Sequence, residues 1–245
     1  MSEFPRKALI LAGGLGTRLK SVVPVTPKPL AHCSGKAFID WLIDHLKCQG
    51  VGDFVISAGY RAEDFVEHFK GRKEIDVIIE KEALGTAGAM AFAVENTKFK
   101  DLRPWLVCNG DSIVFDSIEP LYSHFNNEFI GTMLSLYQSD CSRFGKVEFN
   151  NENILTAFRE KIPGPGYINA GIFLMKSNFT DSFNKTLRPL SFEKELLPSW
   201  LNDSKKIGVI KTKAPFIDIG TPETYEQSND FLIKEWEKFY GMQSL

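Results

Sequence analysis

Cysteine is scarce: the 245 residues hold four. Cys33, Cys48, Cys108 and Cys141 lie far apart, and none belongs to a Cys-x-x-Cys pair. Histidine is equally scarce, at four. This scatter argues against a structural zinc site and against a disulfide framework, and it fits buried thiols in a reducing cytoplasm. Charge of one sign is also lacking. Lys plus Arg number 29 against 31 Asp plus Glu, a net of -2. A broadly basic nucleic-acid binder and an electrostatic membrane anchor are thereby excluded, although a local phosphate pocket is not. No apolar run reaches the ~18 residues of a membrane span. Near the start, the only apolar stretch, Ala8 to Ala12, is too short for a secretory leader. Low-complexity tracts and repeats of about 20–50 residues are absent as well. The reading is a cytoplasmic chain whose partners include neither nucleic acid nor membrane; whether it assembles with copies of itself stays open.

What is present is a globular composition, 43% hydrophobic with 20 Phe, enough for a sizeable core. Lys7 to Leu11 reads as a buried strand ended by glycines. Ile39, Leu42, Ile43 and Leu46 follow helical spacing, with Gly50 where a C-cap belongs. Asp53 to Ser57 is a strand, and Ala62, Phe65, Val66 and Phe69 repeat the helical spacing. Asp76 to Glu80 is a strand, Thr86 to Val94 a helix apolar all round, Trp105 to Cys108 a strand, and Ile118, Leu121, Tyr122 and Phe125 a helix. Such alternation predicts an α/β fold, Rossmann-like, whose mixed, mainly parallel sheet carries helices on both faces. Met133 to Tyr137, Lys146 to Phe149 and Ile154 to Phe158 then predict antiparallel additions. Thr221 as N-cap before Pro222 starts a last helix bearing Leu232, Trp236, Phe239 and Tyr240, packed on the outside. With no linker in view, residues 1–245 read as one domain.

The most informative segment is Ala12-Gly13-Gly14-Leu15-Gly16-Thr17-Arg18-Leu19. Glycines after a strand of a parallel sheet let backbone amides approach an anion. A dinucleotide fingerprint fails because position 19 is Leu, and a Walker A loop fails for want of Gly-Lys-Ser/Thr. Cations favour a phosphate site over a mere packing turn. Arg18 is in the loop, and Lys28 stands between Pro27 and Pro29, a bracket that predicts an extended backbone at Lys28.

Gly-Gly-x-Gly-Thr-Arg-Leu followed by Pro-Lys-Pro-Leu resembles the signature of the sugar-phosphate nucleotidylyltransferases. The likeness continues through Leu84-Gly85-Thr86-Ala87-Gly88-Ala89, Asn109-Gly110-Asp111, Glu160-Lys161, Asn169-Ala170-Gly171 and Asp218-Ile219-Gly220-Thr221-Pro222. These motifs keep the family's order and cover residues 7 to about 226. The resemblance implies a glycosyltransferase-A-like nucleotidyltransferase fold and the reaction of an NTP with a sugar 1-phosphate to NDP-sugar and pyrophosphate. It implies catalytic roles for Arg18, Lys28 and Asp111. It also implies nucleotide contacts at Ala12, Gly13, Gly14, Gly16, Thr17, Glu80, Gly85, Thr86, Gly88 and Asn109. Gly145, Glu160, Lys161 and Asn169 would meet the sugar phosphate, Gly145 by allowing close approach.

Asp111 and Asp218 are the implied Mg²⁺ ligands. An ionised carboxylate within Phe216-Ile217-Asp218-Ile219 is costly unless paired or metal-bound. Asn109-Gly110 between apolar runs is also a hairpin signal, so Asp111 has a bland reading beside the functional one. The histidines lack a carboxylate partner in any recognisable motif and read as structural. Lys20-Ser21-Val22-Val23, Gly35-Lys36-Ala37-Phe38 and Ser191-Phe192-Glu193-Lys194 resemble the branch that uses GTP and D-glycero-D-manno-heptose 1-phosphate. His32 and Ala37 depart from that pattern, each standing where a Pro is usual. Mannose or glucose 1-phosphate with GTP, UTP, dTTP or CTP is the alternative, and a non-catalytic sugar-nucleotide-binding paralogue is an alternative of another class. A product bound for cell-surface glycans such as capsule is what the family implies.

Overall fold

The computed structural model describes residues 7–184 and 189–241. β1 (Lys7–Leu11) leads into a glycine loop, two 3-10 turns (Thr17–Leu19 and Lys28–Leu30) and a short hairpin of β2 (His32–Cys33) and β3 (Lys36–Ala37). Next come α1 (Phe38–Cys48), β4 (Asp53–Ala58), α2 (Ala62–His68), β5 (Ile75–Ile79), α3 (Gly85–Asn96) and β6 (Trp105–Asn109). They are followed by β7 (Ser112–Val114), α4 (Glu119–His124), β8 (Phe129–Gln138), β9 (Gly145–Phe149), β10 (Leu155–Glu160) and β11 (Gly166–Met175). A 3-10 turn (Phe179–Ser182), a π-helical turn (Phe192–Leu196), α5 (Leu197–Asn202), β12 (Lys206–Thr212), β13 (Phe216–Asp218) and α6 (Pro222–Tyr240) complete the order.

Among the described residues nine strands form the main sheet. β1 lies between β4 and β6 and parallel to both, Leu9 standing opposite Val55 and Val107. β5 extends the parallel block beyond β4. On the other side β11 pairs antiparallel with β6, β8 and β9, β10 continues from β9, and β12 runs parallel beside β8. The central strands read as unbroken apolar runs because both their faces are covered. Ala8 and Ile10 of β1 enter one core with α1, α2 and α6, whereas Leu9 enters a second with α3 and α5. The expected mainly parallel sheet with antiparallel additions is the fold observed.

The helices follow the spacing that predicts them. α1 buries Ile39, Leu42, Ile43 and Leu46 together with Phe38, Trp41 and His45. Small side chains along α3, including Ala87, Ala89, Ala91 and Ala93, are buried and let it lie close on the sheet. Thr221 and Thr224 close a capping box at the start of α6, whose Leu232 and Trp236 are buried. Trp236 meets Trp41 of α1 edge to face at 5.5 Å. Two expectations change. Cys48, at the end of α1, is exposed, while the other three thiols are buried. His68 does have a carboxylate partner, Asp40 at 2.8 Å, because α2 packs beside α1 there.

Candidate active site

The chain leaving β1 crosses to β4, whereas β6 is reached by a return from β5, so the loops after β1 and β6 part from each other. Such a switch point opens a crevice at the carboxyl ends of the strands. A cavity of about 380 Å³ fills it, a size suited to a small ligand. It is lined by Leu11, Gly13, Gly14 and Leu15, by Glu80, by Ala83 to Thr86 with Ala89, and by Asn109, Asp111 and Glu193.

Glu80 is tied in behind the glycine loop. Ser57 Oγ donates to its Oε1 at 2.8 Å, and a Cβ on Gly13 would stand 2.9 Å from the same oxygen. Burial pushes this carboxyl above its ordinary range. At the start of α3, Gly85 has φ +72°, and the backbone of Leu190 lies where its Cβ would project. The Ala87 amide donates to Leu190 O at 2.9 Å, Leu190 N–H donates to Leu84 O at 2.9 Å, and the Phe192 amide donates to Thr86 Oγ1 at 2.7 Å. The first turn of α3 thus anchors the following π-helical turn, which carries Glu193 into the cavity. Burial pushes the Glu193 carboxyl up to about 7, reinforced by the charges of Glu160 and Asp111. Asn169 Nδ2 donates to Glu193 Oε1 at 3.4 Å.

Asp111 and Asp218 meet through backbone pairing. β7 and β13 run antiparallel with Ser112 opposite Asp218, and Ile219 N–H donates to Asp111 O at 3.0 Å. β6 and β7 do not pair with each other, so Asn109-Gly110 turns the chain between sheets and makes no hairpin. Asn169-Ala170-Gly171 supports that turn. Gly171 has φ +77°, and a Cβ there would press on Asn109 Nδ2 at 2.8 Å and Ser112 Oγ at 2.9 Å.

Each aspartate has its own cation. Lys28 Nζ pairs with Asp111 Oδ2, and Arg143 Nη2 donates to Asp218 Oδ1 at 2.7 Å. Burial raises the Asp218 carboxyl, as does the Asp111 charge, against the opposing pull of Lys28 and Arg143. Lys28 is not extended as its prolines suggest. It opens a 3-10 turn in which Leu30 N–H donates to Pro27 O at 2.9 Å. Pro29 is tolerated in that first turn because its missing N–H would have no partner there.

Among the described residues no group of three or more His, Cys, Asp or Glu gathers to hold a metal. Two facing carboxylates still suit Mg²⁺, which takes one or two carboxylates and completes its shell from substrate phosphates and water. The donor set fits a hard dication.

The other expected residues divide. Gly13, Gly14, Glu80, Gly85, Thr86, Asn109 and Asp111 line the cavity. Ala12 is buried, a Cβ on Gly16 would stand 3.4 Å from Lys28 Cβ, and Gly88 is buried within α3. Thr17 and Arg18 are exposed on the loop rim. Gly145 stands where the Phe158 ring packs, so a side chain there would meet that ring. Glu160 is close enough for its charge to act on Glu193. Lys161, next to it, is exposed with φ +54°. Arg143 and Glu193 were not singled out as site residues. Arg143 has no local sequence signal, and Glu193 has only its place in Ser191-Phe192-Glu193-Lys194; each is brought in by a distant element.

The chain matches the Nucleotidyl transferase family over residues 7–235. It is 34% identical over 224 residues to the D-glycero-alpha-D-manno-heptose 1-phosphate guanylyltransferase of Campylobacter jejuni, covering 89% of this chain and 96% of that one. It is also 34% identical to the mannose-1-phosphate guanyltransferase of Schizosaccharomyces pombe, of which it spans 62%, with 89% of this chain matched. Among solved structures, HddC from Yersinia pseudotuberculosis superposes with a TM-score of 0.78 at 30% identity, covering 92% of this chain and 98% of that one. HddC complexed with GMP-PN superposes at 0.77. Among the described residues no helix is long and apolar enough to cross a membrane. On sequence match and fold together, the chain belongs to the nucleotidyl transferase family.

Proposed function

We propose that this sugar-phosphate nucleotidylyltransferase takes GTP and D-glycero-D-manno-heptose 1-phosphate to GDP-heptose and pyrophosphate. The observation that carries the chemistry is the quartet of Lys28 paired with Asp111 and Arg143 paired with Asp218, of which Asp111 lines the switch-point cavity. Guanine and heptose are supported by the Campylobacter relative and by the GMP-PN complex of HddC. Mannose 1-phosphate is the second reading, favoured by the equal identity to the yeast enzyme.

In the reaction an oxygen of the sugar phosphate attacks the α-phosphorus in line. A new P–O bond forms as the bond to the β-phosphate oxygen breaks, and pyrophosphate departs with the electron pair. Two polyanions must be held together, so positioning and charge neutralisation carry the catalysis. Lys28 leaves Asp111 to neutralise the α-phosphate, and Arg18 on the exposed rim receives the departing phosphates. Amides at Gly13 and Gly14 cradle the nucleotide, with Glu80, Gly85 and Thr86 beside the base. Glu160, Lys161 and Asn169 face the sugar phosphate from the antiparallel half of the sheet. Asp111 and Asp218 would hold Mg²⁺, which when bound supplies charge neutralisation between the reacting phosphates.

The test is pyrophosphate release with Mg²⁺, crossing four NTPs with heptose, mannose and glucose 1-phosphates. A GTP signal strongest with the heptose supports the whole proposal. A different best pair keeps the reaction and replaces the substrate. Tight nucleotide binding without release from any pair would refute turnover on these sugars.

A further inference from the structure

The reaction outlined above uses Lys28 and both aspartates but leaves Arg143 without a task. Its guanidinium comes from the turn before β9, where Phe144 N–H donates to Cys141 O at 2.9 Å and Lys161 N–H to Phe144 O at 3.0 Å. The backbone is therefore held independently of the side chain. Arg143 grips Asp218 by one arm only. Nη2 donates to Oδ1 at 2.7 Å, while Nε is buried without an acceptor among the described residues. A two-pronged guanidinium–carboxylate pair is a lock; a single-armed one is weaker and easier to exchange. The Arg143 side chain is 35% exposed and Asp218 only 17%, so the cation has room to withdraw and the carboxylate has little. Charge points the same way. Two carboxylates face each other with one cation apiece, a balanced set that a dication would overfill while both resident cations stayed.

We propose that Arg143 is the resting counter-ion of Asp218, a positioning residue that competes with the divalent cation for this carboxylate and thereby sets the metal concentration the protein requires. The proposal rests on the reading of Asp218 as a metal-holding group. Before metal arrives Arg143 holds Asp218 in place; afterwards its guanidinium is free of that carboxylate.

Mn²⁺ binding to the substrate-free protein, followed by the electron paramagnetic resonance of free Mn²⁺, tests this without any turnover. Arg143→Gln is expected to bind Mn²⁺ about three- to tenfold more tightly than the unmodified protein, the scale of one partly exposed charged contact. Arg143→Lys keeps the charge and should return the affinity towards the starting value. On an Asp218→Asn background the Arg143→Gln change should have no further effect. Arg143→Ala is a second neutral variant, should the Gln protein fold poorly. Unchanged or weaker Mn²⁺ binding in a neutral variant of normal thermal stability would overturn the role of Arg143 alone. Mn²⁺ binding that Asp218→Asn leaves intact would overturn the metal reading beneath it, and the proposal with it.

Discussion

Replacing Gly85 by Ala separates two costs that a glycine can conceal. Gly85 and Gly71 both have left-handed backbones, at φ +72° and +83°. A Cβ at Gly71 would meet nothing within 4 Å, whereas one at Gly85 would meet backbone atoms of Leu190, its nitrogen at 2.6 Å. Gly71→Ala should therefore cost only the left-handed conformation, about 1 kcal/mol. Gly85→Ala adds a clash with backbone, which cannot swing aside as a side chain can. Relief requires Leu190 to lift from the first turn of α3, weakening the bonds between Leu190 and Leu84, between Ala87 and Leu190, and between Phe192 and Thr86. At about 1 kcal/mol for each, the total comes to roughly 4 kcal/mol. For a chain of this size that is a fall in Tm of about 8–16 °C, against about 2–4 °C for Gly71→Ala. Thermal unfolding of the two variants reads the difference directly. Lifting the strap also displaces Glu193 from the cavity wall, so Gly85→Ala should raise the KM of a substrate and Gly71→Ala should not. Equal destabilisation of the two proteins would refute the reasoning.

Four further outcomes follow from the same geometry. Asp111→Asn should lower turnover by about 10²–10³-fold with normal circular dichroism; unchanged activity at saturating Mg²⁺ would remove Asp111 from the metal site. Lys161→Ala should raise the KM for sugar phosphate about tenfold or more while moving that for NTP much less, and equal shifts would reject its assignment. His45 is held neutral by burial, pushed down to about 4, and accepts no proton without disturbing its contacts with Phe115, Phe239 and Tyr240. Because the unfolded histidine titrates near ~6.5, its contribution is intact above that pH and is lost as pH falls, by about 2 kcal/mol at pH ~5. Urea unfolding of His45→Phe should show a flatter pH dependence, and parallel curves would contradict this. Glu193 has the opposite sign: its folded carboxyl is raised to about 7, so stability is lost as pH rises from ~4.5 through 7. Glu193→Gln should gain roughly 2–3 kcal/mol more at pH ~8 than at pH ~5, and an equal gain at both would show that the carboxyl is not held protonated.

Where the physics is local, the amino-acid sequence suffices. The apolar run of β1, the spacing on α1 and the Thr221–Pro222 start of α6 each depend on residues within a few positions, and all appear as read. The glycine loop and the ordered motifs are legible for the same reason, and they carry the family. Lys28 shows where local reading ends: flanking prolines bias it towards an extended backbone, yet the 3-10 turn that offers it to Asp111 wins. The ring that packs at Gly145, Phe158, is brought by the facing strand and has no trace in the residues around the glycine. The pairing of β7 with β13 decides that Asp111 and Asp218 face each other. Only the tertiary structure assigns Arg143 to Asp218 and brings Glu193 to the cavity wall, because a charge or a void is felt through space and carries no periodicity along the chain.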